Sequence, residues 1–354
     1  MLYYLVPTYL FLIYTLQVIF KDRNKFLILV IPAVVLLLFI GMFRHISVGT
    51  DTYMYFSLFK YPEKIEVGYI ALVNILKRLG SNFTVFLSVV FFTALCCKLI
   101  YFKKLAHSFV LAILIYSGFW FLVYDLNAIR QGLALGFVGL SLVNLNEKKY
   151  RGYYLMMVLA IINHYSAIVF LPLVWFVRSF KCTAKIFLMV LGVAVLLTIS
   201  KMAEPIITYI SNVIGAGSHL ASKASAYQND DEYNRDVFYS ISTVIRILVA
   251  IISLFTLTRV KINHQLRNML LWCALLNIVV YIVFSQFEII ATRLSLYYRF
   301  AECIIFSLLP QLSSSKFIKF LVGLLVFVYV ALQIYQTLSI KNNNLIPYRS
   351  VIDI

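Results

Sequence analysis

The chain has 354 residues, of which 62% are hydrophobic and only 13% charged. A water-soluble domain of this size is about half apolar and a quarter charged, so composition excludes a soluble fold and makes lipid part of the solvent. The formal net charge of +17 then concerns which membrane face the Lys and Arg occupy, and nucleic acid is not expected as a partner.

A bilayer-crossing helix needs about 20 apolar residues. Such runs lie near 3–20, 26–43, 83–102, 107–124, 129–145, 153–179, 186–203, 237–258, 268–287, 296–312 and 317–338. The first starts at Leu2 with no basic stretch ahead of it and reads as a retained span. The run 153–179 is broken by Asn163-His164-Tyr165 and by Pro172, so it reads either as one long helix or as two meeting at His164.

Positive charge marks the cytoplasmic side. The basic clusters are Lys21, Arg23, Lys25; Lys98, Lys103, Lys104; Lys148, Lys149, Arg151; Arg178, Lys181, Lys185; Arg259, Lys261, Arg267; and Lys316, Lys319. They hold 17 of the 31 basic residues and share one side only if 153–179 crosses twice, with His164 at an outer turn. The expected fold is all-α: a polytopic integral membrane helical bundle of about twelve transmembrane segments, one transmembrane domain over 1–354, with both ends outside.

Two outer segments are long. Residues 44–82 form a first outer loop that closes on an amphipathic stretch, Val67–Leu79, too short to span and suited to the interface. Residues 204–236 form a large outer loop, either a cover over an outer cavity or a plain connector.

Ionisable residues at membrane edges are costly and mark function. Here they gather on the outer side: Arg44, His45 and Asp51; Asp125 and Arg130 around a turn; His164; and Glu288, Arg293, Arg299 and Glu302. Converging arginines bind phosphate or pyrophosphate, because the planar guanidinium pairs bidentately with phosphoryl oxygens and stays charged. A nearby carboxylate or imidazole can take a proton from an attacking hydroxyl. Simpler readings stand beside this one. Asp125 and Arg130 read as a mutual pair, Arg44 as a snorkelling anchor, His164 as an interfacial residue, and Gly49–Thr52 as a capped turn. Arg293 and Arg299, six apart, point to different faces of one helix. The five cysteines show no metal spacing. No P-loop, GxGxxG, HExxH or GxSxG occurs, and no metal is expected because the only compact carboxylate cluster is the solvated run Asp230–Glu232.

The stretch Arg44-His-Ile-Ser-Val-Gly-Thr-Asp51-Thr-Tyr-Met-Tyr55 followed by Glu66-Val-Gly-Tyr69 resembles the first outer loop of the EpsG/Wzy-like polysaccharide polymerases. Arg130-Gln-Gly-Leu-Ala134, Asn163-His164-Tyr165-Ser166-Ala167, the Arg293–Arg299 stretch with Tyr297-Tyr298, and Ile346-Pro347-Tyr348-Arg349 are similar to further elements of that family, in the same order. The resemblance implies a glycosyltransferase C-like membrane fold and a Wzy-type polymerase. Such enzymes join undecaprenyl-pyrophosphate-linked oligosaccharide repeats into O-antigen, capsule or exopolysaccharide. They work on the periplasmic or extracellular face of the bacterial cytoplasmic membrane, need no cofactor, and work alongside a flippase and a chain-length regulator. On this reading Arg44, Arg130, Arg293 and Arg299 bind pyrophosphate and Asp51 or His164 is the general base. Tyr53, Tyr55, Tyr69, Asp125 and Tyr298 face the sugar. A flippase or transporter of lipid-linked oligosaccharide, an O-antigen ligase and a membrane acyltransferase are the alternatives.

Overall fold

A computed structural model describes residues 1–20, 26–62, 65–200, 236–340 and 343–352. The cluster Lys21, Arg23, Lys25 and the expected outer loop up to residue 235 lie outside the described residues.

In chain order the helices are α1 (Leu2–Phe20), α2 (Val30–Met42), α3 (Thr52–Lys60), α4 (Val67–Arg78), α5 (Phe83–Leu105) and α6 (Phe109–Ile115), which runs on as a π-helical stretch, Tyr116–Asp125. Then come α7 (Ile129–Asn146), α8 (Tyr150–Asn163), a 3₁₀ segment (Tyr165–Phe170), α9 (Leu173–Ser179) and α10 (Ala184–Ile199). After the undescribed stretch follow α11 (Ile241–Arg259), α12 (His264–Val283), α13 (Glu288–Arg299), α14 (Glu302–Leu308) and α15 (Lys316–Ser339).

The chain is therefore an all-α polytopic membrane protein. Among the described residues α1, α5, α11, α12 and α15 are long and apolar enough to cross a bilayer, and α2, α10 and others are shorter apolar helices. On α15, Phe317, Leu321, Leu325, Val328, Leu332 and Tyr335 are exposed at helical spacing, while Val326, Val330 and Ile334 are buried. A helix apolar on both its exposed and its buried face belongs in lipid.

Short polar side chains start several helices by accepting from the backbone three residues on: Asn82 for α5, Ser108 for α6, Thr183 for α10, Ser240 for α11 and Asn263 for α12. Each satisfies an orphan N–H that lipid would leave dry.

Two compact units emerge: residues 1–168 with 303–354, and residues 169–302. In the first, α7 packs against α5 and α8, α1 against α15, and α2 against α5. α7 and α8 form an antiparallel hairpin through Glu147–Lys149. Gly132 lets α7 close on the π-helical stretch: a Cβ there would stand 2.5 Å from the Tyr124 carbonyl oxygen. In the second unit α12 packs against α9, α10, α11 and α13.

The run 153–179 is two helices. α8 ends at Asn163, His164 has extended backbone (φ −156°, ψ 115°), and Pro172 caps the start of α9. The amphipathic stretch expected at Val67–Leu79 is α4. The expected outer loop 44–82 also holds a second helix, α3, which alternation of polar and apolar residues did not reveal.

Candidate functional site

The site residues of the first unit lie at one end of its helices. α2 stops at Met42, and Arg44 follows it at 1% exposure. Its Nη1 donates to the Gly41 carbonyl at 2.6 Å. Its Nε and Nη2 have no hydrogen-bond partner among the described residues. Burial lowers its pKa to about 10, with the charges of Asp125 and nearby tyrosines acting the other way, so the guanidinium stays a cation. A dry cation with unused N–H groups is a preformed anion ligand.

The loop behind Arg44 is held by the segment after α15. Arg44 and Ser350 pair as an antiparallel bridge, flanked by His45 N–H to the Arg349 carbonyl and Val351 N–H to the Phe43 carbonyl, both 2.9 Å. Gly49 N–H donates to the Asn344 carbonyl at 2.9 Å. Gly49 has φ +91°, and a Cβ there would stand 2.6 Å from Asn127 Oδ1. That same oxygen accepts from Thr50 N–H at 2.9 Å, and Asn127 Nδ2 donates to Asn343 Oδ1 at 3.3 Å. Asp51 stands at the start of α3 without capping it and accepts from the Thr50 hydroxyl at 3.3 Å.

A second group gathers where α4, α7 and the end of α8 meet. Glu66, just ahead of α4, is 4% exposed. Its Oε2 pairs with Arg130 Nη1 in the first turn of α7. Its Oε1 lies 3.0 Å from His164 Nδ1. His164 Nε2 lies 3.0 Å from Gln131 Nε2. With the Gln131 amide nitrogen donating, His164 Nε2 is the acceptor and Nδ1 faces Glu66. A carboxylate beside Nδ1 with Nε2 turned to an amide is the arrangement a general base needs. Burial alone would raise the Glu66 pKa. The His164 hydrogen bond and the Arg130 charge outweigh it and bring the carboxyl down to about 2.

Arg130 lies over the rings of Tyr55 and Tyr69, 5.5 and 6.0 Å from their centroids. Tyr69 donates to the Tyr55 carbonyl at 3.2 Å. Both tyrosines are buried and floor the arginine, whereas Tyr53 is 66% exposed.

Asp125 does not pair with Arg130. Lys98 Nζ reaches its two oxygens at 2.5 and 2.6 Å, and the Tyr116 hydroxyl donates to Oδ2 at 2.5 Å. Lys98 does not belong with Lys103 and Lys104 in the basic cluster expected there. It lies within α5 at 1% exposure and reaches Asp125 across a dry interior. Proximity to Lys103 and Lys104 in the sequence hid this, since a long side chain can displace its charge far from its Cα.

The second unit holds Arg293, Arg299 and Tyr298 on α13. Arg299 Nε bonds Glu302 at 3.1 and 3.2 Å. Tyr298 is buried, donates to the Val169 carbonyl at 2.5 Å and packs on Phe170. Arg293 is exposed. Arg246, on α11, is buried with its guanidinium 3.8 Å from the Tyr281 ring centroid and hydrogen bonds to Asn277 and Ser295.

Sequence reasoning named Arg44, Arg130, Asp51 and His164, and the structure brings them to one end of one unit. It left Glu66 and Gln131 without roles. Glu66 carried a signal, being a carboxylate directly ahead of an amphipathic helix in an acid-poor chain. Gln131 carried none beyond its place after Arg130. Among the described residues no three His, Cys, Asp or Glu side chains could hold a metal ion together.

A family model described as the EpsG family matches residues 27–350. No curated protein and no solved structure matches the chain.

Proposed function

We propose, from the premise that this chain belongs to the EpsG family, that it is a glycosyltransferase that polymerises polysaccharide from lipid-linked oligosaccharide repeats. The reading places it in a bacterial cytoplasmic membrane with about twelve crossings, a glycosyltransferase C-like arrangement and its active end outward. The donor is a growing chain on undecaprenyl pyrophosphate, and the acceptor is a new repeat on the same carrier, delivered by a flippase. A chain-length regulator is a further partner.

The observation that carries this is the Glu66–His164 pair beside Arg130, with the imidazole Nε2 turned to a weak neutral donor, Gln131. An acceptor hydroxyl that replaces Gln131 at Nε2 gives its proton to His164. Its oxygen forms a bond to the anomeric carbon of the donor sugar. The bond from that carbon to the pyrophosphate oxygen breaks, and undecaprenyl pyrophosphate leaves with the electron pair. Negative charge grows on the leaving group, where Arg44 and Arg130 act most strongly. Asp51 is the alternative base, on the loop after Arg44. Tyr53 is the exposed ring available to a sugar face. In the second unit, Arg293 and Arg299 are proposed as further phosphate ligands, Arg299 being already engaged by Glu302.

A flippase or other transporter would use the arginines and has no need of an oriented imidazole. In a strain lacking this chain, complementation with His164→Gln is expected to leave single lipid-linked repeats on the outer leaflet and no polymer. Full-length polymer from that variant removes the dyad as catalyst. Repeats trapped on the inner leaflet would assign transport instead.

A further inference from the structure

We infer that the segment 343–351 is a clasp that positions Arg44 for its anion, and that Ser350 is a positioning residue directly opposite it. This rests on the reading of Arg44 as a phosphate ligand.

Among the described residues the Arg44 side chain makes one hydrogen bond, to the Gly41 carbonyl, so its aim depends on its backbone. That backbone lies in neither α2 nor α3. The N–H groups of His45 and Gly49 and the carbonyl of Phe43 all bond the 343–351 segment. The segment is itself anchored at three places. Tyr3 donates to the Leu345 carbonyl at 2.9 Å, Tyr348 to the Ile40 carbonyl at 3.2 Å, and Asn343 bonds both Asn127 and the Thr337 carbonyl. The clasp thus ties the Arg44 loop to α1, to the end of α2, and to the turn before α7.

The pairing geometry makes this testable. The bonds from His45 and Val351 flank the Arg44–Ser350 bridge rather than joining it, which marks a non-hydrogen-bonded antiparallel pair. Side chains of such a pair stand face to face, with Cβ atoms about 4.5–5.5 Å apart. Ser350 is 4% exposed, so a carboxylate placed there would be dry and within reach of the guanidinium. It would then compete with phosphate for the N–H groups that Arg44 leaves unused.

The experiment compares Ser350→Asp, Ser350→Asn and Arg44→Ala at matched membrane abundance, reading polymer made in cells. The two Ser350 variants differ in charge and hardly in size. Ser350→Asp is expected to lose polymer as fully as Arg44→Ala, by about 10²-fold or more, the scale of removing one transition-state donor. Ser350→Asn is expected to stay within a few-fold of the parent. If Arg44→Ala is inactive while the two Ser350 variants match each other, the clasp is overturned and the phosphate reading survives. If Arg44→Ala makes full polymer, the phosphate reading of Arg44 itself fails.

Discussion

Glu66 holds a cation and an imidazole at once, and its two bonds have different consequences. The bond to Arg130 fixes a guanidinium over Tyr55 and Tyr69. The contact with His164 holds its Nδ1 toward the carboxylate and its Nε2 toward Gln131. Glu66→Gln keeps the shape and removes the charge, so polymer yield is expected to fall by about 10²-fold, the lower end of general-base effects, with the protein still inserted. The pH dependence has a definite sign. The carboxyl is depressed from 4.5 to about 2, so its contribution to stability is complete above pH 4.5 and fades as pH falls toward 2. Thermal unfolding in detergent should therefore show no loss attributable to Glu66 between pH 5 and 8. Lys98 and Asp125 test a different effect. Lys98→Met strands a buried carboxylate and is expected to cost about 3–5 kcal/mol, seen as a lowered Tm. Adding Asp125→Asn, which can still accept from Tyr116, should recover most of it. A double variant no more stable than the single would break that account. Arg44, Arg130 and His164 were legible in the sequence because a charged or titratable group in an apolar chain stands out. Their partners were not, because Glu66 meets Arg130 across 64 positions and Lys98 meets Asp125 across 27.

At the scale of elements, the hairpin of α7 and α8 matters most, since its open end holds Arg130, Gln131 and His164. Gly132 sets how closely α7 approaches the π-helical stretch, with a Cβ there also 2.6 Å from Asp125 Oδ1. Gly132→Ala pushes on backbone that cannot yield cheaply. It should destabilise by about 1–3 kcal/mol, like other overpacked interiors, measured as a lower melting temperature of purified protein. An unchanged melting point would mean α7 can shift outward. The break at His164 could be read in advance from Asn163 and Pro172, because both disfavour a continuous helix. The π-helical stretch could not. Its sequence, Tyr116–Asp125, is ordinary apolar helix with one glycine, and Gly118 leaves helical backbone at φ −87°, ψ −118° only in the packed structure. α3 escaped for a related reason: its nine residues are short and aromatic, and tertiary packing by Phe59 and Tyr55 holds it.

At the scale of the molecule, the proposed sidedness rests on which residues share an end. In the first unit Lys104 and Lys149 both reach Glu147, while Glu66, Arg130 and His164 meet at the other end of α7 and α8. In the second, Asn268 bonds Val177, Phe180 and Cys182, gathering the basic start of α12 with the basic end of α9. With native cysteines replaced, an impermeant thiol reagent outside the cell is expected to label Tyr61→Cys and Tyr165→Cys and to spare Lys148→Cys. Labelling of Lys148→Cys instead would invert the proposed orientation. The clasp also imposes an order of events during synthesis. The Arg44 loop is made early, yet its backbone partners lie some 300 positions later, as the pairing of Ile40 with Tyr348 shows. At translation rates of about 5–20 residues per second, the loop waits on the order of 15–60 s beside the membrane before 343–351 emerges. A chain interrupted in its last helix would carry Arg44 and Arg130 and still lack the segment that holds the Arg44 loop, so on the proposed reading a nascent chain stays idle until 343–351 is made.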